Sequence, residues 1–200
     1  MHLKRRLVCT FALAAFVTLL PSPPTTVQAT EGPLSTPAAD VSKIKIRNFG
    51  QVNANYYRGA QPEDRDYPAL AALGIRTVID LQADGDNVHE AQLVEAAGMT
   101  FHRIPMFTRV APTLEQIAQF MTIVTNPAHQ PVYVHCAGGK HRTGVMTAVY
   151  RLEHDGWTAD QAYQEMKRYK FGSSNWHPEF KDFVYRYQPL RIYVSRPVRH

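Results

Sequence analysis

Apolar residues recur at helical spacing in four stretches of the second half of the chain. Leu114, Ile117, Phe120, Met121 and Val124 form one stripe, opened by the capping box Thr113-x-x-Gln116. Val145, Ala148, Val149 and Leu152 form a second, halted by Gly156. Ala159, Ala162, Tyr163 and Met166 follow a Thr158-x-x-Gln161 box, and Phe180, Phe183, Val184 and Tyr187 make the fourth. Shorter helices are predicted over Asp66 to Leu73 and His89 to Ala97. Two runs rich in β-branched residues, Ile75 to Leu81 and Pro131 to His135, read as strands covered on both faces, and Thr100 to Ile104 as a further strand.

Strands alternating with helices from Ile44 onward predict one α/β domain over residues 44–188, followed by a C-terminal tail over 189–200. Residues 30–43 are small, polar and proline-bearing, as a linker is. The first 29 residues have the pattern of a secretory signal peptide: Lys4-Arg5-Arg6, an apolar run from Leu7 to Leu20, then Val27 and Ala29 at a cleavage site. That run is shorter than the about 20 residues a spanning helix needs. The expected product is therefore periplasmic or extracellular, with no membrane segment after cleavage.

Cleavage changes both the charge and the thiol count. The full chain of 200 residues carries 22 Lys+Arg against 17 Asp+Glu, a net charge of +5; without Lys4, Arg5 and Arg6 the balance is 19 against 17, or +2. A nearly neutral chain without a dense basic run does not point to a nucleic-acid partner. Of the two cysteines, Cys9 leaves with the leader, so Cys136 stands alone and builds no disulfide framework. A single thiol exposed to an oxidising compartment is either buried as a small hydrophobe or used chemically.

The neighbours of Cys136 select the second reading. Cys136-Ala137-Gly138-Gly139-Lys140-His141-Arg142 lies between a strand ending at His135 and a helix beginning near Thr143. A short loop with two glycines can turn backbone N–H groups inward, and the helix that follows directs its positive end to the same spot. The field that holds a phosphate dianion also stabilises a thiolate, which makes Cys136 the candidate nucleophile. Arg142 offers a planar fork to two phosphate oxygens, and Thr143 can donate its hydroxyl to the thiolate. Each feature alone has an ordinary explanation; their coincidence at one strand–loop–helix junction does not.

His135-Cys136-x5-Arg142-Thr143 resembles the signature of the cysteine-based protein tyrosine and dual-specificity phosphatase superfamily. Gly139-Lys140-His141-Arg142-Thr143-Gly144 is similar to its atypical plant- and fungal-type branch, some of whose members cleave inositol pyrophosphates. Tyr57-Arg58-Gly59-Ala60-Gln61-Pro62 and Leu73 to Leu81 resemble that branch too. The likeness implies a central, mostly parallel sheet of four to five strands flanked by helices. It also implies hydrolysis through a phosphocysteine without metal or cofactor, with His135 ordering the loop and lowering the Cys136 pKa. His89, His102, His129, His154 and His177 show no metal-ligand spacing.

One departure shapes the expected chemistry. The resemblance implies a general-acid Asp about thirty residues before the cysteine, yet no Asp or Glu occurs from Met99 through Leu114. General acid catalysis is typically worth roughly 10²–10⁴-fold. Its loss matters much less when the leaving group is a phosphate, with second pKa about 6, than when it is a tyrosyl oxygen near about 10. The sequence therefore points to phosphoanhydrides or activated esters, or to an acid recruited from Asp84, Asp86 or His102. Lys140 and His141 either add positive charge suited to a polyphosphorylated substrate or point to solvent, and Arg109 adds more charge if it faces the pocket. The expected partner is a phosphorylated small molecule or a phosphoprotein, and oligomeric state stays open. Rival readings are a phosphotyrosine or dual-specificity protein phosphatase, a phosphate-binding module without turnover, and a rhodanese-like sulfurtransferase, against which Arg142 and Thr143 speak.

Overall fold

The computed structural model describes residues 41, 44–85, 87–172 and 177–189. The leader, nearly all of the linker, Asp86 and all but the first residue of the tail lie outside them. Five strands form one sheet in the order β1-β2-β5-β3-β4. β1 (Gly50–Asn53) and β2 (Tyr56–Ala60) make an antiparallel hairpin, and β3 (Thr77–Gln82), β4 (Thr100–Met106) and β5 (Val132–Cys136) run parallel to β2.

Alternation along the strands divides the core in two. Val78 and Tyr133 face a layer built by α1 (Tyr67–Ala72) and α2 (Asn87–Ala96), through Leu70 and Val94. Ile79, Leu81, Val132, Val134 and Cys136 face α3 (Leu114–Val124), α4 (Arg142–Glu153), α5 (Ala159–Arg168) and α6 (Pro178–Arg186). His135 therefore points to one layer and Cys136 to the other.

The capping boxes expected at Thr113 and Thr158 are formed, each side chain accepting the N–H of the glutamine three residues on. α4 is buried from Arg142 through Leu152 because it lies against the sheet beneath the other helices of its layer. The strand expected over 75–81 begins two residues later, and β4 extends past Ile104 to Met106. The β1–β2 hairpin was not assigned from the sequence, since its strands are short and β2 contains a fully buried arginine.

Candidate active site

β5 delivers Cys136 and α4 delivers Arg142, and residues 137–141 turn between them. Gly139 makes the turn possible in two ways. Its φ of 64° is a left-handed conformation that favours glycine, and a Cβ there would strike the backbone of Gly59 and Ala60 in β2. The loop is thus pressed onto the neighbouring strand. Asn48 Nδ2 and Arg58 Nη2 both donate to the Gly139 carbonyl, at 2.7 and 2.9 Å, which fixes that peptide from behind.

Burial alone would push the Cys136 thiol up, but its pKa is held below the ordinary thiol value. The hydroxyl and backbone N–H of Thr143, the Arg142 charge and the Gly138 N–H all favour the thiolate. The Thr143 hydroxyl has no other hydrogen-bond partner. Arg142 is nearly buried and anchored through one prong, its Nη1 donating to Asp84 Oδ1 at 2.8 Å and to the Met106 carbonyl at 3.1 Å.

On the opposite face of β5, His135 is fully buried, with Nε2 2.8 Å from Glu90 Oε1 and Nδ1 3.9 Å from Asp80 Oδ1. Tyr67 donates to the same Glu90 oxygen at 3.0 Å, and Gln61 donates to the Tyr67 hydroxyl at 3.1 Å. Burial opposes the charged ring, yet the contact with Glu90 and the charges of Glu90 and Asp80 raise the His135 pKa. Glu90 is held below its ordinary value by His135 despite burial, whereas burial pushes Asp80 up. Polar atoms of Asp80, Glu90 and His135 lie within 4.8 Å of one another, a grouping that could hold a metal ion. No spacing in the sequence announced it, because the three come from β3, α2 and β5. The direct His135–Glu90 contact gives these groups a partner as an ion pair.

The family model described as "DSP-PTPase phosphatase fused to NAD+ Kinase" matches residues 40–181. The chain belongs to that family. It is 27% identical over 129 residues to the putative tyrosine-protein phosphatase OCA1 of Mycosarcoma maydis, covering 62% of this chain and 81% of that one. It is 26% identical over 170 residues to the dual specificity protein phosphatase TpbA of Pseudomonas aeruginosa, covering 85% and 74%. The fold is similar to the core catalytic domain of the PP-IP phosphatase SIW14 from S. cerevisiae, solved with citrate, with a TM-score of 0.64 and 23% identity over 72% of this chain and 87% of that one. The protein is a Cys-dependent phosphatase of the dual-specificity type.

In this phosphatase the remaining predicted residues fare differently. Asp84, a candidate general acid, has its pKa lowered by its hydrogen bond to Arg142, so it is ionised where a proton donor is needed. Asp86 lies outside the described residues. His102 packs edge-on against His129, and burial lowers its pKa. His141 was expected to add charge for the substrate. Instead its Nε2 meets the Phe171 carbonyl at 3.0 Å and its ring lies 3.8 Å from that of His177. Burial and the neighbouring His177 lower its pKa and leave it neutral at pH 7. Gly139 also departs from expectation, because its N–H is bonded to the Cys136 carbonyl at 3.3 Å and does not face an anion. Lys140 and Ala137 are exposed on the loop, and Arg109 occupies the exposed turn after β4 with φ 67°.

Sequence reasoning missed Arg58, Asn48 and Glu90. The signal for Arg58 was a lone charge inside Tyr56–Ala60, a segment otherwise apolar or small. Glu90 had none, since an acidic residue in the first turn of a helix is ordinary.

Proposed function

We propose that the chain is an exported phosphatase that transfers a phosphoryl group to Cys136 and hydrolyses it from there, with polyphosphorylated small molecules as its substrates. The observation that carries this reading is the pairing of a complete Cys136–Arg142 loop with the lack, among the described residues, of a carboxyl hydrogen-bonded at the loop other than the ionised Asp84. The β4–α3 turn has no acid in sequence, and Asp84 is locked as the anionic partner of Arg142. In the first step the Cys136 sulfur forms a bond to phosphorus and the bond from phosphorus to the leaving oxygen breaks. Arg142 spreads the charge of the transferring group. The departing oxygen leaves as an anion, which a phosphate does far more readily than an alkoxide. Water then cleaves the phosphocysteine and releases inorganic phosphate and the thiolate. Lys140, exposed on the same loop, suits a second phosphate on the substrate. The SIW14 domain, named as a PP-IP phosphatase, has this fold and supports an inositol pyrophosphate as the first substrate to test. Export rests on the charged and apolar pattern of the first 29 residues, and no helix among the described residues is long and apolar enough to cross a membrane.

A second reading, phosphotyrosine, is favoured by Phe107. It is 69% exposed and directly follows Met106, whose carbonyl holds Arg142, so an exposed aromatic residue adjoins in sequence the residue that anchors the phosphate clamp. Rates measured across inositol pyrophosphates, aryl phosphates of graded leaving-group pKa and phosphotyrosine peptides separate the two. Turnover that falls steeply with leaving-group pKa and is greatest on phosphoanhydrides supports the first. Efficient hydrolysis of phosphotyrosine peptides with a flat dependence supports the second.

A further inference from the structure

Arg58 is the largest fully buried side chain among the described residues, with 0% exposure. It stands on β2 opposite Val134 of β5, on the same face as Cys136. Its Nη2 donates to the Gly139 carbonyl at 2.9 Å, and its guanidinium lies 4.1 Å from the centre of the Tyr169 ring. Nε and Nη1 have no hydrogen-bond partner. No carboxylate pairs with it among the described residues. Glu165, whose charge it feels, already accepts two hydrogen bonds from Arg151, at 2.7 and 3.1 Å.

A buried cation without a counter-charge is strongly unfavourable, and the core around Arg58 would be better filled by an apolar side chain of similar volume. Packing therefore does not account for it. What does lie within reach of its field is the loop: the Gly139 carbonyl that it holds, the Cys136 thiolate, and any dianion seated above them.

We propose that Arg58 is a positioning residue for the phosphoryl-transfer loop, a buried counter-charge to the Cys136 thiolate and a bound phosphate. It does not touch the substrate. Through the Gly139 carbonyl it sets the loop's shape, and through its charge it favours the anionic forms that the reaction needs. The inference rests on the reading of residues 136–142 as the phosphate loop.

The test uses the full chain with Arg58→Met, and with Arg58→Gln as a second neutral variant should the first not fold. Three readouts are taken: thermal unfolding, the pH dependence of Cys136 alkylation by iodoacetamide followed on the Cys136 peptide, and inhibition by inorganic phosphate. Arg58→Met is expected to keep or raise the unfolding temperature. Its alkylation at pH 6, relative to pH 9, should fall about tenfold, the effect of a thiol pKa raised by one unit, and phosphate affinity should fall by a similar factor. A variant that loses thermal stability while its alkylation profile and phosphate affinity match the wild type would show a structural role only and overturn the inference. A wild-type Cys136 that titrates as an ordinary thiol would overturn the loop reading and this inference together, whereas a low wild-type titration left in place by both variants overturns this inference alone.

Discussion

Asp84 Oδ1 accepts a 2.8 Å hydrogen bond from Arg142 Nη1, so a carboxylate from the β3–α2 turn grips one prong of the guanidinium and leaves the rest of the fork for phosphate. The Asp84 side chain is 76% exposed, and solvent screens its charge. Asp84→Asn keeps an oxygen acceptor for Arg142 while removing a negative charge that opposes an incoming dianion. Inorganic phosphate should bind about threefold more tightly to the variant, within the range of an exposed ion pair. The dependence of rate on leaving-group pKa should not change. A drop in kcat of about 100-fold or more, confined to poor leaving groups, would mean that Asp84 is the proton donor after all.

The pair His135–Glu90 makes a pH-dependent contribution to stability. The groups facing His135 are Glu90 from α2, Asp80 from β3 and Tyr133 from its own strand, and Cys136 on the opposite face of the sheet acts on it only through its charge. The raised His135 pKa stabilises the fold fully below the ordinary histidine value of 6.5, and this is lost as pH climbs through the raised value. The lowered Glu90 pKa stabilises above the ordinary value of 4.5 and is lost as pH falls below it. Glu90→Gln should therefore destabilise most between those two values, by about 3 kcal/mol as expected for breaking a buried pair, and less at pH 9. Urea melts at pH 5.5 and pH 9 read the difference; an equal loss at both would show that charge is not what Glu90 supplies.

Gly139→Ala should break the loop from within. The added methyl meets the backbone of Gly59 and Ala60, which cannot move aside as a flexible side chain could, and the residue keeps a left-handed φ. A loss of about 2 kcal/mol or more of stability is expected, with kcat/KM falling more than about 100-fold because Cys136 and Arg142 lose their register. The same substitution at Gly138, where a Cβ meets only the Lys140 stem at 3.7 Å, should cost far less. Similar losses at the two positions would contradict the packing of Gly139 on β2.

Lys140 separates substrates by phosphate count. Because it is exposed on the loop, Lys140→Ala should leave folding untouched. KM for a polyphosphorylated substrate should rise roughly tenfold while a small aryl phosphate changes much less, since removing uniform binding raises KM without lowering kcat. Equal effects on both substrates would place Lys140 in support of the loop.

The nucleophile requires a thiolate, and Cys136→Ser should abolish turnover while phosphate binding persists through Arg142 and the loop. Residual hydrolysis by that variant at the wild-type rate would remove Cys136 from the mechanism.

The local part of this design was legible along the chain. Helical stripes and the two Thr-to-Gln capping boxes are set by near neighbours, so α3, α4, α5 and α6 could be read from spacing, as could the loop between β5 and α4. A nucleophile and a clamp six positions apart on one turn are likewise a local matter. What surrounds them is not. Arg58 and Asn48 reach Gly139 across 81 and 91 residues, Asp84 reaches Arg142 across 58, and Glu90 meets His135 from a helix on the other side of the sheet. Nor could spacing tell that the His141 ring would turn to Phe171 and His177, or that a carboxylate near the clamp would be held ionised and so unfit as an acid. Charge, burial and proton affinity depend on which distant groups the packed sheet brings within a few ångströms. Those approaches exist only once β2, β3 and β5 lie side by side.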